Sequence, residues 1–230
     1  MADLDITVLI PTYNRPSTVA LAVAQFGANV RYELGHIHYL IGNDGAESLD
    51  EIAVLDDRVH IVPGPKRGLG ANLNRLIETA STDLLFQMDD DHILTQPLDL
   101  NDAARRLNNE PRFGWVRYYM GECIEPDKHY KFAAQAWGDY WELLPYNELY
   151  VTSNRPHLKV RQFHTDYYGW YDESLPLGET EMAFCSRFIE KKRGLGDNGP
   201  SVFIPMYGLN KYQWAHIGMS NQIGKGLVVN

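Results

Sequence analysis

Cysteine is nearly absent from this chain: Cys123 and Cys185 are the only two among 230 residues. That excludes a disulfide framework and a cysteine-based zinc cluster, and both thiols are expected to be buried in a reducing compartment. Positive charge is scarce as well. A formal net charge of -9 and a pI near 5.3 argue against general nucleic-acid binding, which needs a basic face toward phosphate. Long hydrophobic runs are missing too. The opening MADLDITVLI has its acids and a short apolar stretch in the wrong order for a secretory leader, and no run reaches the roughly 20 residues of a spanning helix. A cytoplasmic protein with no transmembrane segment is the expectation. There is no internal repeat and no low-complexity tract. The 44% hydrophobic content suffices for a real core, and the length fits one globular unit.

What is present reads as strands alternating with helices. ITVLI (Ile6 to Ile10) is a β-branched run ending at Pro11, and RPSTVALAVAQF follows with Pro16 at a first helical turn. IHYLIGNDG repeats the device, stopping at the turn signal Asn43-Asp44-Gly45, for which a hairpin-type turn is the alternative reading. VHIVPG gives a further strand, and RGLGANLNRLIETA places Leu73, Leu76, Ile77 and Ala80 on one helical face. DLLFQM then delivers Asp89, Asp90 and Asp91. A helix over DLNDAARRLNNE ends before Pro111, and aromatic-rich strands such as FGWVRYYM and HYKFAAQAW come next. Another helix is expected to begin near Glu179, with acids first, bases last and Gly194 as its stop. From Gly194 onward the pattern is Gly-rich and less regular, a candidate mobile segment.

Such alternation predicts an α/β fold with a mostly parallel sheet covered on both faces, whose ligands bind beyond the carboxyl ends of the strands. Asn14/Arg15, Asp44 and Asp89 to Asp91 all fall at that edge. VLIPTYNRP, NDG and RGLGANLNRLIETASTDLLFQMDDD, in that order and at those intervals, resemble the nucleotide-sugar half of the family 2 glycosyltransferases of the GT-A fold. GWYDESLPLGETEMAFCSR resembles their second half more weakly. The resemblance implies a Rossmann-like nucleotide-sugar half over 1–110 and an acceptor-binding, catalytic half over 111–230 of the same domain.

It also implies roles. Carboxylates cannot hold an anionic diphosphate directly, but a divalent cation between the two converts repulsion into a bridge. The Asp-x-Asp pattern of the family therefore makes Asp91 the expected ligand of Mn²⁺ or Mg²⁺, with Asp89 and Asp90 near ribose and sugar and Asp89 a further ligand candidate. His216 is the candidate imidazole ligand, although a lone histidine is more often structural. Asp44 would accept from the uracil ring N–H, though the chain departs from the family with Asn43 before it and Ala46 after. Pro11, Thr12 and Tyr13 would flank the base, with Arg15 nearby. Arg67 would approach the phosphates unless it is a plain surface arginine, and Asn74 matches a frequent family asparagine that could simply hold a loop.

Inverting transfer needs a carboxylate base near the acceptor hydroxyl. The segment reads Glu179-Thr180-Glu181: counting back from FCSR favours Glu181, counting forward from Gly178 favours Glu179, and both could merely complement a helix N-terminus. Trp170 and Tyr171 are an acceptor platform or core, and Trp137 and Trp141 are as ambiguous. The expected activity is metal-dependent, inverting transfer of one sugar per encounter from a UDP-sugar donor to an unidentified hydroxyl-bearing acceptor, since no Gln-x-x-Arg-Trp pattern of processive synthases occurs. Two rivals remain: a nucleotide-sugar-binding protein without turnover, and a sugar nucleotidyltransferase, whose usual Gly-rich first loop is not seen in PTYNRP.

Overall fold

The computed structural model describes residues 3–64, 67–118, 134–144, 151–206 and 214–217. β1 (Ile6–Thr12) runs into α1 (Pro16–Asn29) and the two-residue β2 (Val30–Arg31). β3 (Ile37–Asn43), α2 (Asp50–Leu55), β4 (Val59–Pro63), α3 (Leu69–Thr79) and β5 (Leu84–Gln87) continue the alternation. Short β6 (His92–Leu94) and β7 (Leu98–Asp99) lead to α4 (Asn101–Asn109), then β8 (Phe113–Arg117), β9 (Ala134–Trp137), β10 (Tyr140–Leu143) and β11 (His157–Val160). α5 (Leu177–Leu195), β12 (Ser201–Pro205) and β13 (Trp214–His216) complete the described chain.

The main sheet has the order β4-β3-β1-β5-β11-β8-β12-β10-β9. β4, β3, β1 and β5 are parallel. β11 then runs antiparallel to both β5 and β8, so strands of both halves of the chain share one sheet. β12 is parallel to β8, and the β9–β10 hairpin closes the far edge. β13 pairs with β6, and β2 with β7, in two small ribbons.

β1 shows why the sequence folds this way. All seven of its residues are buried, Thr7 and Thr12 included. Ile6, Val8 and Ile10 join the core on one face and Leu9 the core on the other, as the two-residue period of a strand requires. α1, α2 and α4 cover the first face through Val19, Phe26, Ile52 and Leu107. α3 and α5 cover the second; the expected face of Leu73, Leu76, Ile77 and Ala80 packs there against Phe184 and Phe188.

Three expectations need correction. α5 begins at Leu177 and runs through Gly194 to Leu195. A glycine inside a helix costs only about 1 kcal/mol, so Gly194 does not stop it; the break is Gly196, whose φ of 55° with ψ of -129° is a combination that glycine adopts without a Cβ clash. Lys192, one of the expected terminal bases, donates from Nζ to the Gly196 carbonyl at 2.8 Å. The chain after Gly194 is not irregular throughout, because β12 is buried along its whole length between β8 and β10. Five apolar-rich residues closed by a proline are too few to show a period. Finally, Asn43-Asp44-Gly45 leads from β3 toward α2, with no antiparallel return strand. Most of the expected mobile segment, 207–213 and 218–230, lies outside the described residues, as does Cys123; Cys185 is buried.

Candidate active site

The loops after β1, β3 and β5 meet at one edge of the sheet around a cleft of about 980 Å³. Pro11, Thr12, Tyr13 and Arg15 form one wall, Asp44 and Arg67 a second, Asp89 to Asp91 the floor, and Glu181 faces them from α5. The first two loops are tied together by Asn14, which takes a left-handed φ of 54°. Its Oδ1 accepts from the Ala46 and Glu47 N–H groups at 2.7 and 3.2 Å. Gly45 permits that approach, since a Cβ there would lie 2.3 Å from the Asn14 oxygen. Asp44 donates its N–H to the Thr12 carbonyl at 3.0 Å, and its carboxylate accepts from the Gly68 N–H at 3.1 Å, just ahead of α3.

The acidic floor is held from the β1 side. Thr12 Oγ1 donates to Asp90 Oδ2 at 2.5 Å. Arg15 stands at the N-cap of α1 but does not cap it; its guanidinium reaches Asp90 at 3.2 Å and Asp91 at 3.0 Å. Burial pushes the Asp90 carboxyl above the ordinary carboxylate range, against the lowering pull of the Thr12 hydroxyl and Arg15. Asp89 is pushed up further, by burial first and then by the charges of Asp91, Glu181 and Asp90. One arginine does not satisfy three carboxylates in so small a space, and a further positive charge would relieve them.

Asp91 shows where such a charge fits. Its Oδ1 is buried without a hydrogen-bond partner, yet stands 3.2 Å from Nε2 of His216. That is close to the roughly 3 Å between adjacent ligands of an octahedral ion bound at about 2.1 Å. β13 brings His216 there by pairing with β6, which sets it opposite His92. Asp91, His92 and His216 are the described cluster able to hold a metal ion, with ligand atoms within 4.8 Å of one another. Asp89, expected as a ligand, is not part of that cluster, although its Oδ2 lies 4.0 Å from Nε2 of His92. His92 was not anticipated. Burial lowers its pKa to about 3, so it is neutral, and its Nδ1 accepts from the Asp89 N–H at 3.1 Å. The ring proton therefore sits on Nε2, so His92 backs the carboxylates, and Asp91 and His216 are the direct ligands that fit.

Across the cleft, Glu181 is half-buried and its Oε1 accepts from the Asn154 N–H at 2.7 Å. Glu179 is exposed and does not line the cleft. Two residues along a helix turn the side chain by about 200°, so only one of these glutamates can face inward. Asn74 is also not a cleft residue. Its Nδ2 donates to the Tyr171 carbonyl and to Glu173, both at 3.0 Å, and its Oδ1 accepts from the Tyr171 N–H at 2.9 Å. It holds a loop, and Glu173 in that loop pairs with Arg67 at 3.0 Å. Tyr171 is buried against Phe184 with ring centroids 4.6 Å apart, a core residue and not an acceptor platform. Trp170 is half-buried beside it. Sequence reasoning missed Asn154, which lies in a stretch without period or motif, and Glu173, which lies within the second family-like stretch as one more surface acid.

A family model for glycosyl transferase family 2 matches residues 7–174. The chain belongs to that family. Among solved structures, Staphylococcus aureus TarS 1-349 in complex with UDP-GlcNAc superposes with a TM-score of 0.67 at 14% identity, covering 91% of this chain and 57% of that one. The same TarS fragment in complex with UDP gives 0.66 at 15% identity, covering 91% and 59%. This family 2 chain thus has the GT-A fold and spans less than three fifths of those relatives. Comparison with curated proteins gives no match. Among the described residues no helix is long and apolar enough to cross a membrane.

Proposed function

We propose that this family 2 chain transfers one sugar per encounter from a UDP-linked donor to an acceptor hydroxyl, with inversion at the anomeric carbon and with Mn²⁺ or Mg²⁺ held by Asp91 and His216. The observation that carries this reading is the opposition across one cleft of two different devices. Asp91, whose Oδ1 stands 3.2 Å from Nε2 of His216, lines the cleft, and Glu181, held by the Asn154 N–H, lines the same cleft.

Each residue then has a task. Pro11, Thr12 and the exposed Tyr13 flank the base, and Asp44, fixed by Gly68, accepts from the uracil ring N–H. Arg15 and Arg67 offer charge-assisted contacts to phosphate oxygens. Asp89 and Asp90 lie toward ribose and sugar. A bound divalent cation supplies neutralising charge to the departing diphosphate, where negative charge grows in the transition state. Glu181 takes the proton of the acceptor hydroxyl as its oxygen attacks the face of the anomeric carbon opposite the leaving group. The UDP and UDP-GlcNAc complexes of TarS support the donor class.

The test is release of UDP from a panel of UDP-sugars with Mn²⁺. Wild-type protein is expected to release UDP, and Asp91→Ala to lose at least about a hundredfold of that rate. Equal release by Asp91→Ala would overturn the metal assignment. Tight UDP-sugar binding with no release and no transfer would instead mark a binding protein without turnover.

A further inference from the structure

A lysine stands in the middle of the sheet. Lys159, on β11, is 0% exposed, with its Nζ 4.7 Å from the centre of the Trp115 ring and 5.7 Å from that of Tyr171. Burial of an amine this deep carries a desolvation cost, and the glycosyl-transfer steps above make no use of it. Its one hydrogen bond found among the described residues goes to Gln87 Oε1 at 2.7 Å. The Tyr171 hydroxyl donates to the same oxygen at 3.5 Å. Both donate to Oε1, which leaves Nε2 pointing the other way, where it donates to Asn154 Oδ1 at 3.2 Å. With Oδ1 so occupied, Asn154 must turn its own Nδ2 outward. Asn154 is 7% exposed and lines the cleft, and no acceptor for its Nδ2 is found among the described residues. Its backbone N–H meanwhile grips Glu181 at 2.7 Å.

We infer that Asn154 is a contact for the transferred sugar: its Nδ2, aimed into the cleft by the chain Lys159 to Gln87 to Asn154, donates to a hydroxyl or carbonyl oxygen of that sugar beside Glu181. The inference rests on the glycosyl-transfer reading, because that reading puts the sugar between the acidic floor and Glu181. A buried amide with one end already paired and the other facing a substrate oxygen discriminates well, since an absent partner leaves the N–H unsatisfied. Gln87 and Lys159 are positioning residues, and what they transmit is polarity. Each link is a donor followed by an acceptor, and the cleft receives a donor because the core end begins with one. The backbone N–H of the same residue orients Glu181, so sugar and base are positioned from one point.

The experiment uses the whole chain with Mn²⁺ and measures affinity for UDP and for UDP-glucose, UDP-galactose and UDP-N-acetylglucosamine by calorimetry. The readout is the sugar's added affinity, the ratio of the UDP dissociation constant to that of the tightest UDP-sugar. Asn154→Ala removes the amide but keeps the backbone N–H on Glu181. Gln87→Glu keeps the shape but offers only acceptors, so Asn154 must reverse and show its oxygen to the cleft, while the new carboxylate pairs with Lys159. Both variants are expected to bind UDP within about twofold of wild type and to lose about five- to tenfold of the sugar's added affinity. A wild-type ratio near one, or a ratio unchanged in both variants, would overturn the inference. A loss in Asn154→Ala alone would overturn the relay through Gln87. Failure of wild type to bind UDP at all would overturn the proposed function instead.

Discussion

Glu179 and Glu181 are two side chains of one chemistry, two positions apart, and the rotation of α5 separates them into different surroundings. Glu181 faces Asp89 and takes a backbone hydrogen bond at 2.7 Å, whereas Glu179 meets solvent. Glu181→Gln is accordingly expected to lower the rate of sugar transfer by about 10² to 10⁴ with UDP affinity kept, and Glu179→Gln to stay within about twofold of wild type. Steady-state assays with a fixed UDP-sugar and its acceptor check this, and equal losses in both would refute the assignment. At this scale the sequence was partly legible. Asp91 and His216 could be singled out as ligand candidates because acids after a buried strand and a distant histidine are visible as residue types. His92 could not, because only its burial and its bond from the Asp89 N–H give it a place behind the carboxylates.

Loops at the sheet edge carry most of the site, and they hold each other. The β1–α1 loop grips the β3–α2 loop through Asn14, and the second reaches Gly68 ahead of α3 through Asp44. Gly45→Ala would put a methyl group 2.3 Å from Asn14 Oδ1, forcing the two loops apart. The expected result is a UDP affinity reduced by roughly tenfold with a melting temperature lowered by a few degrees, as loss of about 1–2 kcal/mol implies. Calorimetry and thermal denaturation measure the two effects; unchanged UDP affinity would show that the loops do not act as one unit. Strands and helices of the first half were readable because their apolar residues recur at the period of the element, as in Leu73, Leu76, Ile77 and Ala80. The end of α5 was misplaced because Gly194 and Gly196 look alike in sequence, and only Gly196 takes a positive φ.

The sheet as a whole contains one consequence of burying Lys159. Burial depresses its pKa well below the ordinary 10.5. Between the two values the unfolded chain binds the extra proton, so stability from this site is present near and above pH 10.5 and is lost as pH falls toward the folded pKa. Wild type should therefore gain stability relative to Lys159→Met between pH 7 and 10, at up to about 1.4 kcal/mol per pH unit. Urea denaturation of both proteins at several pH values reads this difference, and a flat line would mean that Lys159 stays charged in the core. The sequence by itself determined the alternation of strands and helices, the acidic edge and the family, since these follow from periodicity and from residue types at set intervals along the chain. Only the tertiary structure decided that Glu181 faces inward, that Asn74 staples a loop and that a core lysine orients the amide of Asn154. Those facts depend on helix rotation, burial and the direction of hydrogen bonds between segments far apart in the chain, and a residue's identity carries none of them.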